Sequence, residues 1–81
     1  MTFKERNEML KGIVDRCAAQ HAQYTSGKHL LTDEEWSTYI HKMDEIAAEF
    51  VDTNMADFVG AICMAYLNDT ELVQKKLKEV K

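Results

Sequence analysis

The chain contains no proline, and across its 81 residues only Gly12, Gly27 and Gly60 offer the backbone freedom of glycine. Strands need frequent turn signals to fold back on one another, and those signals are scarce here. Helices need few interruptions. The shortage of breakers therefore points to an all-α fold of long helices joined by short connections.

Met55 to Leu67, read MADFVGAICMAYL, is the most apolar stretch, with Asp57 as its single charge. A helix that is apolar all round must be covered on most sides, so this segment is the expected central helix of a small bundle. It is too short to cross a bilayer, which takes about 20 apolar residues. Hydrophobic residues at 46% and charged residues at 30% suit one globular domain spanning residues 1–81. A chain of this length buries only about 60–65% of the surface it exposes when unfolded, so pairing with a second copy or a partner would add to a small core.

Two helix starts are written plainly. Thr2 with Glu5, and Thr32 with Glu35, match the capping box, in which hydroxyl and carboxylate satisfy each other's unpaired backbone donors. Leu31 and Trp36 flank the second box at the spacing of a hydrophobic staple. The first helix carries Phe3, Leu10, Cys17 and Tyr24 at intervals of seven, with Met9, Ile13, Val14 and His21 widening the seam. Gly27 is its expected left-handed stop, and Lys28 to Leu31 the connection that follows. On the second helix the residues expected to be buried are Trp36, Tyr39, Ile40, Met43, Ile46, Ala47, Phe50 and Val51. Asn54 with Asp57 can cap the third helix, across a connection short enough for a bent continuous helix. Asn68-Asp69-Thr70 reads as a stop and a new start, giving a short fourth helix with Leu72, Val73, Leu77 and Val80 on one side. The expected architecture is thus a compact bundle of three main helices plus a short C-terminal one, forming a homodimer.

The net charge of −4 is unevenly placed. Asp33 to Asp57 holds eight acidic residues and only Lys42 as a base, between two mildly basic ends. Direct nucleic-acid binding by the whole surface is disfavoured, because phosphate contacts need clustered cations. The first ten residues lack the apolar core of a signal peptide, so a cytoplasmic protein with reduced thiols is expected. The glycosylation pattern at Asn68-Asp69-Thr70 is then only a turn.

Few residues suggest chemistry. Cys17 and His21 stand one helical turn apart, a spacing that can hold a metal, with His29, His41 and Cys63 as further donors. Both also fall where the seam needs interior residues, so a core thiol and an edge histidine are the better reading. A single disulfide between Cys17 and Cys63 is the minor alternative to free thiols. Asp52-Thr53-Asn54 opens like a calcium loop, but Asp57 stands where glycine is required and Cys63 where a bidentate Glu is required. No nucleophile elbow, phosphate-cradling glycine loop or dinucleotide fingerprint occurs, and His41 beside Asp44 and Glu45, which could form a pH-sensitive contact or half of an acid–base pair, is better read as an exposed histidine on a solvated acidic face. A non-catalytic protein without cofactor is expected.

Two surfaces remain. Glu34, Glu35, His41, Asp44, Glu45, Glu49 and Asp52 form an acidic ridge on the second helix, a solvated face or a phosphate-like array offered to a basic groove. Ala61, Met64, Ala65, Leu67 and Leu72 lie where the short fourth helix has too few apolar residues to cover them, which suggests self-association. The functional expectation is a small protein–protein interaction module. Its sharper form is a phage or mobile-element inhibitor whose acidic helix blocks a nucleic-acid-handling protein such as a defence nuclease. The alternatives are a metal- or ligand-binding bundle using Cys17 and His21, and a DNA-binding regulator using Lys75, Lys76 and Lys78.

Overall fold

A computed structural model describes residues 2–27 and 29–79. Three helices follow one another: α1 over Phe3–Thr25, α2 over Asp33–Ala48 and α3 over Ala56–Glu79. All three pack against one another, and no strand occurs among the described residues. Short connections make sequence neighbours antiparallel, so α1 and α3 run the same way. Cys17 faces Cys63 and His21 faces Asp69, which sets the register between them.

Both capping boxes form. The Thr2 hydroxyl accepts from the Glu5 N–H at 3.1 Å while the Glu5 carboxylate accepts from the Thr2 N–H at 3.4 Å. At α2 the corresponding bonds, Glu35 N–H to Thr32 and Thr32 N–H to Glu35, are 3.1 and 3.0 Å. These reciprocal bonds fix two of the three helix starts from local sequence alone.

The fourth helix does not exist as a separate element. α3 runs unbroken through Asn68-Asp69-Thr70 to Glu79. Local propensity favours a break at these residues, but two buried polar side chains outweigh it. The Thr70 hydroxyl donates to the Tyr66 carbonyl one turn back at 2.9 Å, which leaves it to accept from the Tyr39 hydroxyl, also at 2.9 Å. One turn further on, Gln74 accepts from the Leu31 N–H at 2.8 Å and donates to the His29 carbonyl at 3.2 Å. Continuing the helix is what lets Gln74 satisfy backbone groups of the α1–α2 connection. Val80, expected on the last helix, and Lys28, expected to open the first connection, lie outside the described residues.

Other boundaries shift for equally local reasons. Gly27 is not in the left-handed region; α1 ends through right-handed Ser26, whose N–H donates to Ala22. A side chain at Gly27 would instead meet the His29 ring, at 2.6 Å from its Nδ1. α2 stops at Ala48, and a chain of tight bonds, Phe50 N–H to Ala47 and Thr53 N–H to Phe50, turns the backbone toward α3. A continuous α2–α3 helix is therefore ruled out. Thr53, not Asn54, organises the entry to α3, donating to the Phe50 carbonyl at 2.7 Å and accepting from the Met55 N–H at 3.2 Å.

The core consists of Ile13, Cys17, Tyr39, Met43, Ile46, Met55, Val59 and Cys63, with Leu10, Tyr24, Trp36, Ala47, Phe50, Ile62, Tyr66 and Leu67 packed around it. The seam on α1 holds from Leu10 onward, but Phe3 is 87% exposed. The register explains this, because Arg16 is already level with Glu49 just beyond the end of α2. The first turns of α1 overhang the α2–α3 connection, and the molecule extends 50 Å along its long axis against 20 and 16 Å across. Met9, Ile40 and Val51, read as interior from periodicity, are likewise exposed. Val51 is exposed because it falls in the turn and not on the helix.

Candidate interaction surface

The surface that combines exposed apolar side chains with charge lies between α2 and the middle of α3. On α2, Trp36, Ile40 and Asp44 succeed one another every four residues on one face; on α3, Met64, Leu67, Asn68 and Glu71 do the same at intervals of three and four. Together they line a groove of about 380 Å³ whose floor is Trp36, Ile40, Met64 and Leu67. Asp44 and Glu71 stand on opposite rims. The shoulder of α2 continues into a shallower depression lined by Asp33, Ser37 and His41 beside the same Trp36, Ile40 and Asp44. Ile40 is 43% and Met64 56% exposed, so the floor is open to solvent.

The groove sits on a well-anchored stretch of backbone. Trp36 leans on Tyr39, with ring centroids 6.0 Å apart, and Tyr39 stacks on Tyr24 of α1 at 4.6 Å. The Tyr39 hydroxyl is held by Thr70, and burial pushes its ionisation upward so that it stays a neutral donor. Neither Thr70 nor Gln74 is distinguishable from a surface residue by sequence pattern. The sequence signal for the groove itself is the scarcity of apolar residues after Asn68, which leaves Met64 exposed and Leu67 only half covered.

The ridge residues divide into engaged and free. Glu49 is the C-cap of α2, and both its oxygens accept from Arg16 of α1, the longer bond being 3.1 Å. That hydrogen-bonded guanidinium holds the Glu49 carboxyl below the ordinary carboxylate range. Glu35 is lowered likewise, first by the Thr32 backbone N–H and then by His29 at 3.5 Å. His41 and Glu45 pair one turn apart at 3.0 Å. Asp52 lies in the α2–α3 turn and off the helix. Glu34 and Asp44 are exposed and enter none of the ion pairs among the described residues. The free carboxylates are thus Glu34 in the first turn of α2 and Asp44 beside the groove, and the ridge is shorter than the sequence suggests.

Of the expected self-association residues, Ala61, Met64, Ala65 and Leu72 are exposed and Leu67 is half-buried. Met64 and Leu67 belong to the groove. Gly60 meets nothing that an added Cβ would touch, so its small size serves no close approach within this chain.

The donors proposed for a metal separate. Cys17 Sγ lies 3.7 Å from Cys63 Sγ, while His21 Nε2 is 2.7 Å from Asp69 Oδ2 with its ring 5.0 Å from that of Tyr66. Among the described residues, no group of three or more His, Cys, Asp or Glu side chains converges as a metal site would require. No helix among them is long and apolar enough to cross a membrane. Lys75, Lys76 and Lys78 are exposed near the end of α3.

Comparison with protein-family models, with curated proteins and with solved structures found no match.

Proposed function

We propose that this chain is a non-catalytic interaction module whose α2–α3 groove takes a basic, amphipathic segment of another protein. The observation that carries the reading is the pairing of an open apolar floor, Trp36, Ile40, Met64 and Leu67, with two carboxylates, Asp44 and Glu71, as the charged groups that line the same groove. An apolar strip flanked by carboxylates is complementary to a helix with one greasy face and lysine or arginine beside it. Segments of that kind also grip phosphates in nucleic-acid-handling proteins. Occupying such a segment would block its other use, which retains the inhibitor reading of the acidic helix in a narrower form. Glu34, Asp44 and Glu45 are its free or loosely held charges; Glu49 serves the bundle.

The chain's single tryptophan lies in the groove, so its fluorescence reports occupancy directly. A helical Leu/Lys peptide should give a saturable shift, and a Leu/Glu peptide of the same pattern should not. Met64→Glu combined with Asp44→Lys should weaken binding at least tenfold while leaving the circular dichroism unchanged. Equal binding of a scrambled Lys peptide without an apolar face would reduce the effect to bulk charge and refute the groove.

Homodimerisation through the same side of α3 is the second reading, supported by Leu72 at 59% exposure beside the open groove. Sedimentation of the wild type against Leu72→Glu decides it: a concentration-dependent dimer lost in the variant supports pairing, and a monomer at all concentrations removes it.

A further inference from the structure

The groove leaves unused the two thiols at the centre of the molecule. Cys17 on α1 and Cys63 on α3 are both free and both buried, and their sulfur atoms are 3.7 Å apart. That is van der Waals contact between atoms carried by different helices. A disulfide requires about 2.05 Å, so the two sulfurs have to close by only about 1.7 Å from where the packed helices hold them. The Cys63 thiol also contacts the Met43 carbonyl at 3.6 Å, which holds that sulfur against α2. Nothing in the proposed interaction requires two cysteines there.

We propose that Cys17 and Cys63 form a reversible dithiol–disulfide pair that, when oxidised by a small disulfide such as oxidised glutathione, ties α1 covalently to α3. One cysteine thiolate attacks the glutathione disulfide, forming a protein–glutathione bond and releasing one glutathione thiolate. The second cysteine thiolate attacks the protein sulfur of that mixed disulfide, forming the Cys17–Cys63 bond and releasing the second glutathione. Two protein thiols lose two electrons and two protons, and one glutathione disulfide becomes two glutathione thiols.

The same burial that aligns the sulfurs slows the reaction. Removal from water, then the neighbouring Cys17, pushes the Cys63 thiol up to about 12, so the folded protein holds almost no reactive thiolate there. Exchange therefore proceeds through transient opening of the α1–α3 contact, while its equilibrium position is set by the closed geometry. The pair is slow to oxidise, and once closed it is shielded from reduction.

The test is an equilibrium measurement in glutathione redox buffers, with the whole chain folded in native buffer or unfolded in guanidinium chloride. Acid quenching, alkylation and mass spectrometry separate chains that carry no alkyl group from those that carry two, and the unalkylated fraction gives the effective concentration of one thiol toward the other. If the fold presents the sulfurs for bonding, that concentration rises on the order of a hundredfold or more between the unfolded and the folded chain, as expected for closing a loop of this length. The oxidised chain should then also unfold at a higher guanidinium concentration than the reduced one. A rise of tenfold or less, or disulfides found between chains instead of within one, would overturn the proposal. Cys17→Ser and Cys63→Ser serve as controls, each forming only the mixed disulfide.

Discussion

The two ends of the bundle are built differently. Around the α1–α2 connection, a stacked Tyr24–Tyr39 pair, the Tyr39–Thr70 hydroxyl bond, the Gln74 clamp and the His21–Asp69 contact tie three elements together. Around the α2–α3 connection the chain offers the half-exposed Arg16–Glu49 pair, an overhanging start of α1, and Phe3, Val51 and Phe58 open to water. The first end is fixed by buried groups that would be costly to leave unpaired. The second is closed by apolar contacts of Ile46, Phe50 and Met55, and its inter-helix ion pair is exposed and screened by solvent. The groove lies toward the first end, where a binding surface has a rigid support.

The sharpest way to break this comparison is to truncate one side chain at each end. Tyr39→Ala, at a fully buried position, should cost about 3–5 kcal/mol in denaturant unfolding. Val51→Ala, at 66% exposure in the opposite turn, should stay within about 0.5 kcal/mol. Similar losses from both would show that the ends are equally ordered. Gln74→Ala should cost roughly 1–3 kcal/mol, because it strands the Leu31 N–H and the His29 carbonyl. Hydrogen exchange locates that effect: the Leu31 amide should lose protection while Met43 and Ile46 keep theirs.

At the looser end, Gly12→Ala should stabilise α1 by about 0.5–1 kcal/mol, since an added Cβ meets nothing and the glycine only lowers helix propensity. The smallest effect concerns pH. Glu49 and Glu35 both ionise below the ordinary carboxylate range when folded, so their contributions are complete above a pH of about 4.3 and fade as the pH falls further. Glu49→Gln should flatten the acid limb of a stability–pH curve only slightly, because the pair is open to water. A large flattening would mean that this ion pair holds the looser end more strongly than an exposed pair should.

How much of this was legible in the sequence follows the same division. Local rules found both capping boxes, the start of α1 and of α2, and the seam through Ile13 and Cys17. They failed at Asn68-Asp69-Thr70, where the preference for a cap yields to a tertiary bond between Thr70 and a tyrosine 31 residues earlier. Gln74 carries no periodic signature, because a buried glutamine is defined by the backbone groups it meets. Periodicity alone also placed Phe3, Ile40 and Val51 inside, since spacing reports a helical face but not where the partner helix ends. The groove was half visible: Met64 as a residue left uncovered, Ile40 mistaken for interior, and Trp36 and Leu67 lying between the two, packed on the core yet partly open.

The register of α1 against α3 has a kinetic consequence. Both connections between consecutive helices are a few residues long, so each antiparallel hairpin closes cheaply and early. The Cys17–Cys63 contact, by contrast, spans 46 residues. Loop-closure entropy makes such a pairing roughly 1–2 kcal/mol harder to reach than a seven-residue turn. The parallel contact should form after α2 has already brought its two neighbours together, with the middle helix acting as a template for the outer pair. A chain oxidised in advance between those sulfurs would start with that long search already complete.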